Sequence, residues 1–186
     1  MMGMRGDFEK PDGLVFIPDF LSEREEQKLL SFIQHLSFNE FKLFDNLAKR
    51  TVKSFGYNYS FETRELTVGD PFPKELIDLS NLCAQVLDVP PYEIIQCLVS
   101  KYPPQATIGW HTDVLAFGSK VIGISLASPC VMRFQRKVND KRKVFEIQLP
   151  PRSLYLLSKE ARYKWQHSIP STPALRYSIT FRTLKN

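Results

Sequence analysis

LRYSITFRT, residues 175–183, reads as one β-strand. Leu175, Tyr177, Ile179, Phe181 and Thr183 alternate with Arg176, Ser178, Thr180 and Arg182. Successive side chains of a strand point to opposite faces, so one face is mostly apolar and the other carries two guanidinium groups and two hydroxyls. A sheet with one wet face produces this pattern. So does a strand whose polar face lines a pocket for an anion, because Arg grips a carboxylate as a bidentate fork. At ~3.3 Å per residue the two Arg Cα atoms stand roughly 20 Å apart, and long side chains leaning inward from those positions can bracket a small dicarboxylate.

Upstream of this strand lie further short β-rich runs, at residues 94–102, 107–110, 121–126, 131–138, 144–149 and 153–157. Gly, Pro, Asn and Asp separate them, and no helical pattern intervenes. Such a series predicts a sandwich, barrel or jelly roll. Two helices precede it. Ser22 and Glu25 form a capping-box signature for a helix over 22–36, in which Leu29, Ile33 and Leu36 share a face. Leu76, Leu79, Cys83, Val86 and Leu87 give a second helix over 73–87 its apolar stripe, and Pro90-Pro91 stop it. The expected class is mainly β (α+β), with N-terminal helices packed on a β-core. Residues 1–13 are polar and expected to be loose. Residues 14–186 are expected to form one domain, with the helices in 14–93 and the β-core in 94–186.

Composition agrees with this reading. The 186 residues, 43% of them hydrophobic and 12% aromatic, suffice for one core and exclude a disordered chain. No apolar run approaches membrane-spanning length, so no membrane partner is expected. The N-terminus lacks a secretory h-region. Cys83, Cys97 and Cys130 are odd in number and lack CxxC spacing, which fits reduced thiols. The expected location is cytoplasmic, or nuclear in a eukaryote. There are no coiled-coil heptads, and a monomer is expected. Lys and Arg number 25 against 20 Asp and Glu, a net charge of +5 that allows an anionic partner.

The chain has three histidines. His111 and Asp113, in W-H-T-D, are two apart at the end of a strand-like run and so share a face. His167, in W-Q-H-S-I-P, supplies a third donor. Two His and one carboxylate, with three positions left open, are the facial triad of non-haem Fe(II) oxygenases. H-x-D also arises by chance in many proteins. His35, in the first helix, is read as structural or surface.

In this order, H-x-D, a later His and R-x-x-x-x-x-R resemble the AlkB family of Fe(II)- and 2-oxoglutarate-dependent dioxygenases, over residues 94–182 and more weakly upstream. The resemblance implies a double-stranded β-helix (jelly roll) and Fe(II) held by the catalytic set His111, Asp113 and His167. It implies that Tyr102 and Arg176 hold the distal carboxylate of 2-oxoglutarate, with Ser178 near it. Arg182 then lies by the chelating end and the ligand Asp. Ser100 stands where the family's N-x-Y element has its Asn, so a hydroxyl replaces an amide. The implied chemistry consumes O2 and 2-oxoglutarate, releases succinate and carbon dioxide, and hydroxylates a C–H bond; an N-methyl group then leaves as formaldehyde.

The implied substrate is an alkylated base in DNA or RNA. Bacterial repair members carry an acid shortly after the ligand Asp, where it contacts the base. Here Val114 and Leu115 follow instead, and the spacing from His167 to Arg176 is short for the family. Residues 133–143 hold six cations, Arg136 and Lys137 among them, against Asp140 alone. That basic hairpin follows a phosphate backbone or simply protects a sheet edge. Phe55, Tyr57, Tyr59 and Phe61 alternate upstream, on one face by strict period two, as core, as a lid that stacks on an extruded base, or as a mixture with some in the core and one tyrosine facing the site. Trp110 and Trp165 flank the ligands, as pocket walls or as core. S-P-C-V-M-R and S-K-E-A-R-Y-K-W-Q-H resemble segments of a tRNA-modifying branch and of a mitochondrial branch not associated with base repair. The alternatives are the same chemistry on a protein or small molecule, or a non-catalytic nucleic-acid-binding relative.

Overall fold

A computed structural model describes residues 9–43 and 46–185. The chain runs β1 (Leu14–Ile17), α1 (Glu23–Ile33), β2 (Asn39–Leu43), β3 (Asn46–Tyr59), β4 (Leu66–Val68), α2 (Lys74–Leu87), β5 (Ile94–Tyr102), β6 (Ile108–His111), β7 (Val121–Leu126) and β8 (Cys130–Val138). It continues through β9 (Lys141–Leu149), β10 (Leu154–Leu157), α3 (Lys159–Tyr163), β11 (Gln166–Ile169) and β12 (Arg176–Thr183).

Both sheets are antiparallel. The larger has the order β1-β10-β7-β12-β5-β3-β2, with β4 added on β3; the smaller is β6-β11-β8-β9. The non-sequential order and the two facing sheets are those of a double-stranded β-helix. One core lies between the larger sheet and the helices. Leu29, Ile33, Leu76, Leu79, Cys83 and Leu87 meet Val99, Ile122, Ile179 and Phe181 there. A second core joins the sheets through Tyr102, Met132, Phe134, Tyr155, Trp165 and Ile169.

Local signals explain the helices. The Ser22 hydroxyl accepts the Glu25 N–H at 3.3 Å, and the Glu25 carboxylate accepts the Ser22 N–H at 2.7 Å, so the capping box is complete. Helix α2 ends at Asp88, whose φ of 51° is left-handed. The Lys120 ammonium donates to the Leu87 carbonyl, one of the orphan acceptors of the last turn.

Three expectations need correction. The order is not two helices followed by strands, because β1 precedes α1 and β2–β4 lie between the helices. The short strands β1, β4 and β11 and the single-turn-scale α3 carry too few residues for a period to show. The four alternating aromatics do not share a face. Gly56 has a φ of +79°, and a Cβ there would stand 2.1 Å from the Ile95 carbonyl oxygen, so the chain turns where only glycine fits. Phe55 consequently enters the helix-side core, while β3 leaves β5 after Gly56 and pairs with β4 from Tyr57 onward. Of the tail expected to be loose, residues 1–8 lie outside the described residues. Pro11 is buried, and the Asp12 and Gly13 carbonyls accept N–H groups of Ala161 and Ser158.

Candidate active site

The site forms at the mouth between the sheets, and strand register builds it. β12 pairs with β5 so that Arg176 stands opposite Tyr102, Ser178 opposite Ser100, and Arg182 opposite Gln96. β11 pairs with β6 so that His167 stands opposite His111. Alternation along β12 sends Tyr177, Ile179 and Phe181 to the helix-side core. Arg176, Ser178, Thr180 and Arg182 therefore face the interior of the β-helix.

The two His rings lie with centroids 4.2 Å apart. His111 Nδ1 is 2.8 Å from the Gly109 carbonyl oxygen. A carbonyl only accepts, so Nδ1 carries the proton, and a neutral ring then has its lone pair on Nε2. Burial favours that neutral form by lowering the pKa of His111. His167 Nε2 is 3.6 Å from Asp113 Oδ2. Burial, and then the neighbouring His111, lower the His167 pKa to about 3.

Asp113 is buried. Burial alone would raise its pKa, but the Arg182 guanidinium and then His167 outweigh it, and the carboxyl titrates below the ordinary range. Arg182 donates to Asp113 Oδ1 from Nε at 3.1 Å and from Nη2 at 2.7 Å, and from Nη1 to Gln96 Oε1 at 2.6 Å. Among the described residues no three His, Cys, Asp or Glu side chains close into a preformed metal-holding group. His167 meets both of the others, the His111 ring and the Asp113 carboxylate.

Arg176 has no solvent exposure. Its Nε donates to Ser125 Oγ at 3.1 Å, and its guanidinium lies over the Tyr102 ring, 5.0 Å from the centroid. Nη1 and Nη2 are buried without a hydrogen-bond partner. Ser100 and Ser178 are buried beside it across the β5–β12 ladder.

A cavity of about 360 Å³ opens beside His111, Asp113 and Arg182, lined also by Ser54, Asn58, Tyr59, Phe61, Trp110 and Phe117. Of the residues singled out for substrate, Tyr59 and Trp110 line it. Tyr57 lies outside the lining, because the turn at Gly56 redirects the strand; its carbonyl accepts from Gln96 Nε2 at 2.8 Å. Arg136 is also elsewhere: its guanidinium is paired with Glu160 and packs over Trp165. Lys137, at the hairpin tip, pairs with Asp140 at 2.8 Å. Arg142, from the same hairpin, lies over the Trp110 ring, 5.5 Å from its centroid.

Sequence reading missed three participants. Gln96 was available from period two, since it shares a face of β5 with Ser100 and Tyr102. Tyr155 is buried, and its ring edge lies against Gly123, where a Cβ would meet ring carbons and the hydroxyl within 2.4 Å. Only the pairing of β10 with β7 reveals that contact. Arg162, on α3, is buried and donates to the backbone carbonyls of Asp113 at 2.9 Å, Val114 at 2.7 Å and Gly118 at 3.3 Å. No local pattern marks it.

The buried His167 gives a pH dependence with a definite sign. In the unfolded chain its pKa is near 6.5; in the fold it is about 3. Protons therefore bind the unfolded state first, and the native state loses stability as pH falls from about 6.5 toward 3. Denaturant titration of the metal-free protein at about pH 7.5 and pH 5 is expected to show that loss, and His167→Gln to reduce it. An undiminished loss in the variant would assign the proton to another group.

The β-helix, the converging His-x-Asp and His, and the two inward Arg residues define the class of jelly-roll oxygenases. The family model for the 2OG-Fe(II) oxygenase superfamily matches residues 13–182. The chain belongs to that superfamily, and is similar to its AlkB-like members. It is 31% identical over 185 residues to the alkylated DNA repair protein ALKBH8 homolog of Arabidopsis thaliana, covering 85% of this chain and 51% of that protein. It is 25% identical over 165 residues to the DNA N6-methyl adenine demethylase of Caenorhabditis elegans, covering 85% and 54%. The chain thus spans about half the length of these curated relatives. The OsALKBH1 structure superposes with a TM-score of 0.75 at 16% identity, over 95% of this chain and 99% of that one. A Trichoplax adhaerens prolyl hydroxylase in complex with a peptide fragment superposes with a TM-score of 0.65 at 16% identity, over 94% and 84%. These likenesses show the jelly-roll fold. Fe(II) and 2-oxoglutarate are implied by the family, and the chain's class is that of a dioxygenase. Among the described residues no helix is long and apolar enough to cross a membrane.

Proposed function

We propose that the chain oxidatively demethylates alkylated bases in DNA or RNA, with His111, Asp113 and His167 as Fe(II) ligands and Arg176 as the anchor of 2-oxoglutarate. The observation that carries the reading is Arg176. A fully buried guanidinium with two unpartnered terminal nitrogens is costly unless an anion meets it, and a carboxylate matches that fork. Tyr102, Ser100 and Ser178 surround the same place. The donor set fits the ion: His111 presents a lone pair at Nε2, and 3.6 Å between His167 Nε2 and Asp113 Oδ2 is near the roughly 3 Å between two ligands on one ion at right angles. Bound there, Fe(II) and 2-oxoglutarate supply the O2-dependent oxidation of a C–H bond.

The protein's own residues position and exclude. Arg182 holds Asp113 in one orientation and in its charged form. Arg162 is a positioning residue: it fixes the backbone of Asp113 and of the loop that follows. We expect Arg162→Met to weaken Co(II) binding, a probe for Fe(II), by roughly 10–100-fold, the usual effect of losing a supporting partner. Arg162→Lys is expected to recover part of it. A Met variant that is less thermostable but has unchanged Co(II) affinity would limit Arg162 to a structural role.

Nucleic acid is favoured by the aromatic cavity walls, by Arg142 at its edge, and by the names of the relatives matched. The same chemistry on a protein or small molecule is the second reading. Ion pairs from Arg133, Arg136, Lys137 and Lys143 to acids favour it, because they leave less of the hairpin for phosphates. The presence of the donor set together with the buried Arg176 and the Arg182–Asp113 pair weighs against a non-catalytic relative. The test is succinate and formaldehyde release by the purified protein with Fe(II), ascorbate and 2-oxoglutarate, over a panel of methylated DNA and RNA oligonucleotides. Formaldehyde stoichiometric with succinate is expected. Succinate release indifferent to every oligonucleotide would overturn the nucleic-acid reading.

A further inference from the structure

We propose that the cavity selects a neutral alkylated base and discriminates against a cationic one. The inference rests on the nucleic-acid reading above. A methyl group on a ring nitrogen that bears no hydrogen, such as N3 of cytosine or N1 of adenine, leaves the base positively charged at neutral pH. A methyl group on N3 of uracil, or on the exocyclic N6 of adenine, leaves it neutral. A cation withdrawn from water needs an anionic partner.

Asp113 is the one carboxylate among the described residues that line the cavity. Arg182 occupies its Oδ1 through two hydrogen bonds, and Oδ2 faces His167. Nothing of that charge is left for a base. Arg182 lines the same cavity, and Arg142 stands over Trp110 at its edge. Loading the site does not reverse the balance, since the two positive charges of Fe(II) match the two negative charges of 2-oxoglutarate.

Aromatic walls are the opposing consideration, because ring faces attract cations. Here the Trp110 ring already carries the Arg142 guanidinium. Tyr59 and Phe61 are turned edge to face on each other, with centroids 5.1 Å apart and planes at 88°. The remaining polar groups of the wall are neutral. Ser54 Oγ is buried without a hydrogen-bond partner, and Asn58 presents an amide. Hydroxyl and amide both donate and accept, which suits the carbonyl and amino edges of an uncharged base.

Paired oligonucleotides isolate the charge. N3-methyluracil and N3-methylcytosine place the methyl group at the same ring position, and N6-methyladenine and N1-methyladenine are isomers. With the Fe(II)-loaded protein and 2-oxoglutarate, formaldehyde release is expected to give the neutral member of each pair that is turned over at least a tenfold higher kcat/KM. Asn58→Asp places an acid on the exposed wall with little change of shape, and is expected to narrow that ratio at least threefold. Equal or faster turnover of the cationic member overturns the inference and keeps the nucleic-acid reading. An unchanged ratio in Asn58→Asp overturns charge as its cause. Formaldehyde from none of the four overturns both the inference and the reading on which it rests.

Discussion

His111→Ala is expected to abolish 2-oxoglutarate turnover, by at least about a thousandfold, while leaving a folded protein. The magnitude follows from the role: loss of a hydrogen-bonded supporting partner costs roughly 10–100-fold in metal affinity or activity, and loss of a ligand costs more. The expectation of a folded variant follows from the surroundings. His111 ends the short edge strand β6, is only half-buried, and gives the structure one hydrogen bond, to its own neighbour Gly109. A net contribution of about 1 kcal/mol is typical of such a bond. Co(II) titration separates the two effects. The variant should lose metal binding at a thermal midpoint within a few degrees of the unaltered chain. Retained turnover would remove His111 from the ligand set, and His35, just past the end of α1 with Nδ1 2.7 Å from the Ser31 carbonyl oxygen, offers no replacement in the site.

The jelly-roll character was legible because short β-rich runs follow one another with turn residues between them, and because 175–183 alternates with period two. Residues 94–102 and 121–126 are strands in the structure with the same bounds, and β12 differs by one residue at its start. Their side chains alternate between two chemically distinct cores, so tertiary contacts reinforce the local pattern. Strand β3 was less legible, because one glycine changes its direction. From the sequence, alternation puts Phe55, Tyr57, Tyr59 and Phe61 on one face, and which of them are core and which face the site is open. In the fold Phe55 is core, Tyr57 is partly exposed and outside the cavity lining, and Tyr59 and Phe61 reach the cavity. The positive φ of Gly56 decides this, and it depends on the close approach of the Ile95 carbonyl across the sheet.

The site divides in the same way. Arg176 and Arg182 are linked by spacing along one strand, and His111 and Asp113 by an interval of two residues at and just beyond the end of β6, and spacing is what a sequence displays. Arg162 acts on Asp113 across 49 positions through backbone carbonyls, which have no residue-type signature. Basic residues of the hairpin read alike in the sequence, yet Arg136 is drawn under Glu160 and onto Trp165 while Arg142 reaches Trp110. Which cation meets an acid is settled by the register of the β8–β9 hairpin and, for Arg136, by the packing of α3 against it, which no local pattern displays.

Arg176→Met is expected to move cosubstrate binding and stability in opposite directions. Without an anion, the Arg176 guanidinium is buried with one hydrogen bond, to Ser125, and its two terminal nitrogens unpartnered. Replacing such a buried charge by an apolar side chain of similar length is often neutral or stabilising by 1–4 kcal/mol, in order of magnitude. The ligand-free variant should therefore melt at or above the temperature of the unaltered protein. With 2-oxoglutarate the order reverses. Each hydrogen bond from a charged group contributes roughly 1.5–3 kcal/mol, so losing the fork raises KM for 2-oxoglutarate by about a hundredfold or more. The thermal shift on adding the cosubstrate should shrink with it, since a ligand stabilises in proportion to the logarithm of its concentration over Kd. Arg176→Lys should fall between, because an ammonium keeps the charge and loses the fork. An Arg176→Met protein that melts lower and binds 2-oxoglutarate unchanged would show that the guanidinium serves the core through Ser125 and Tyr102, and the anion site would then have to be sought elsewhere.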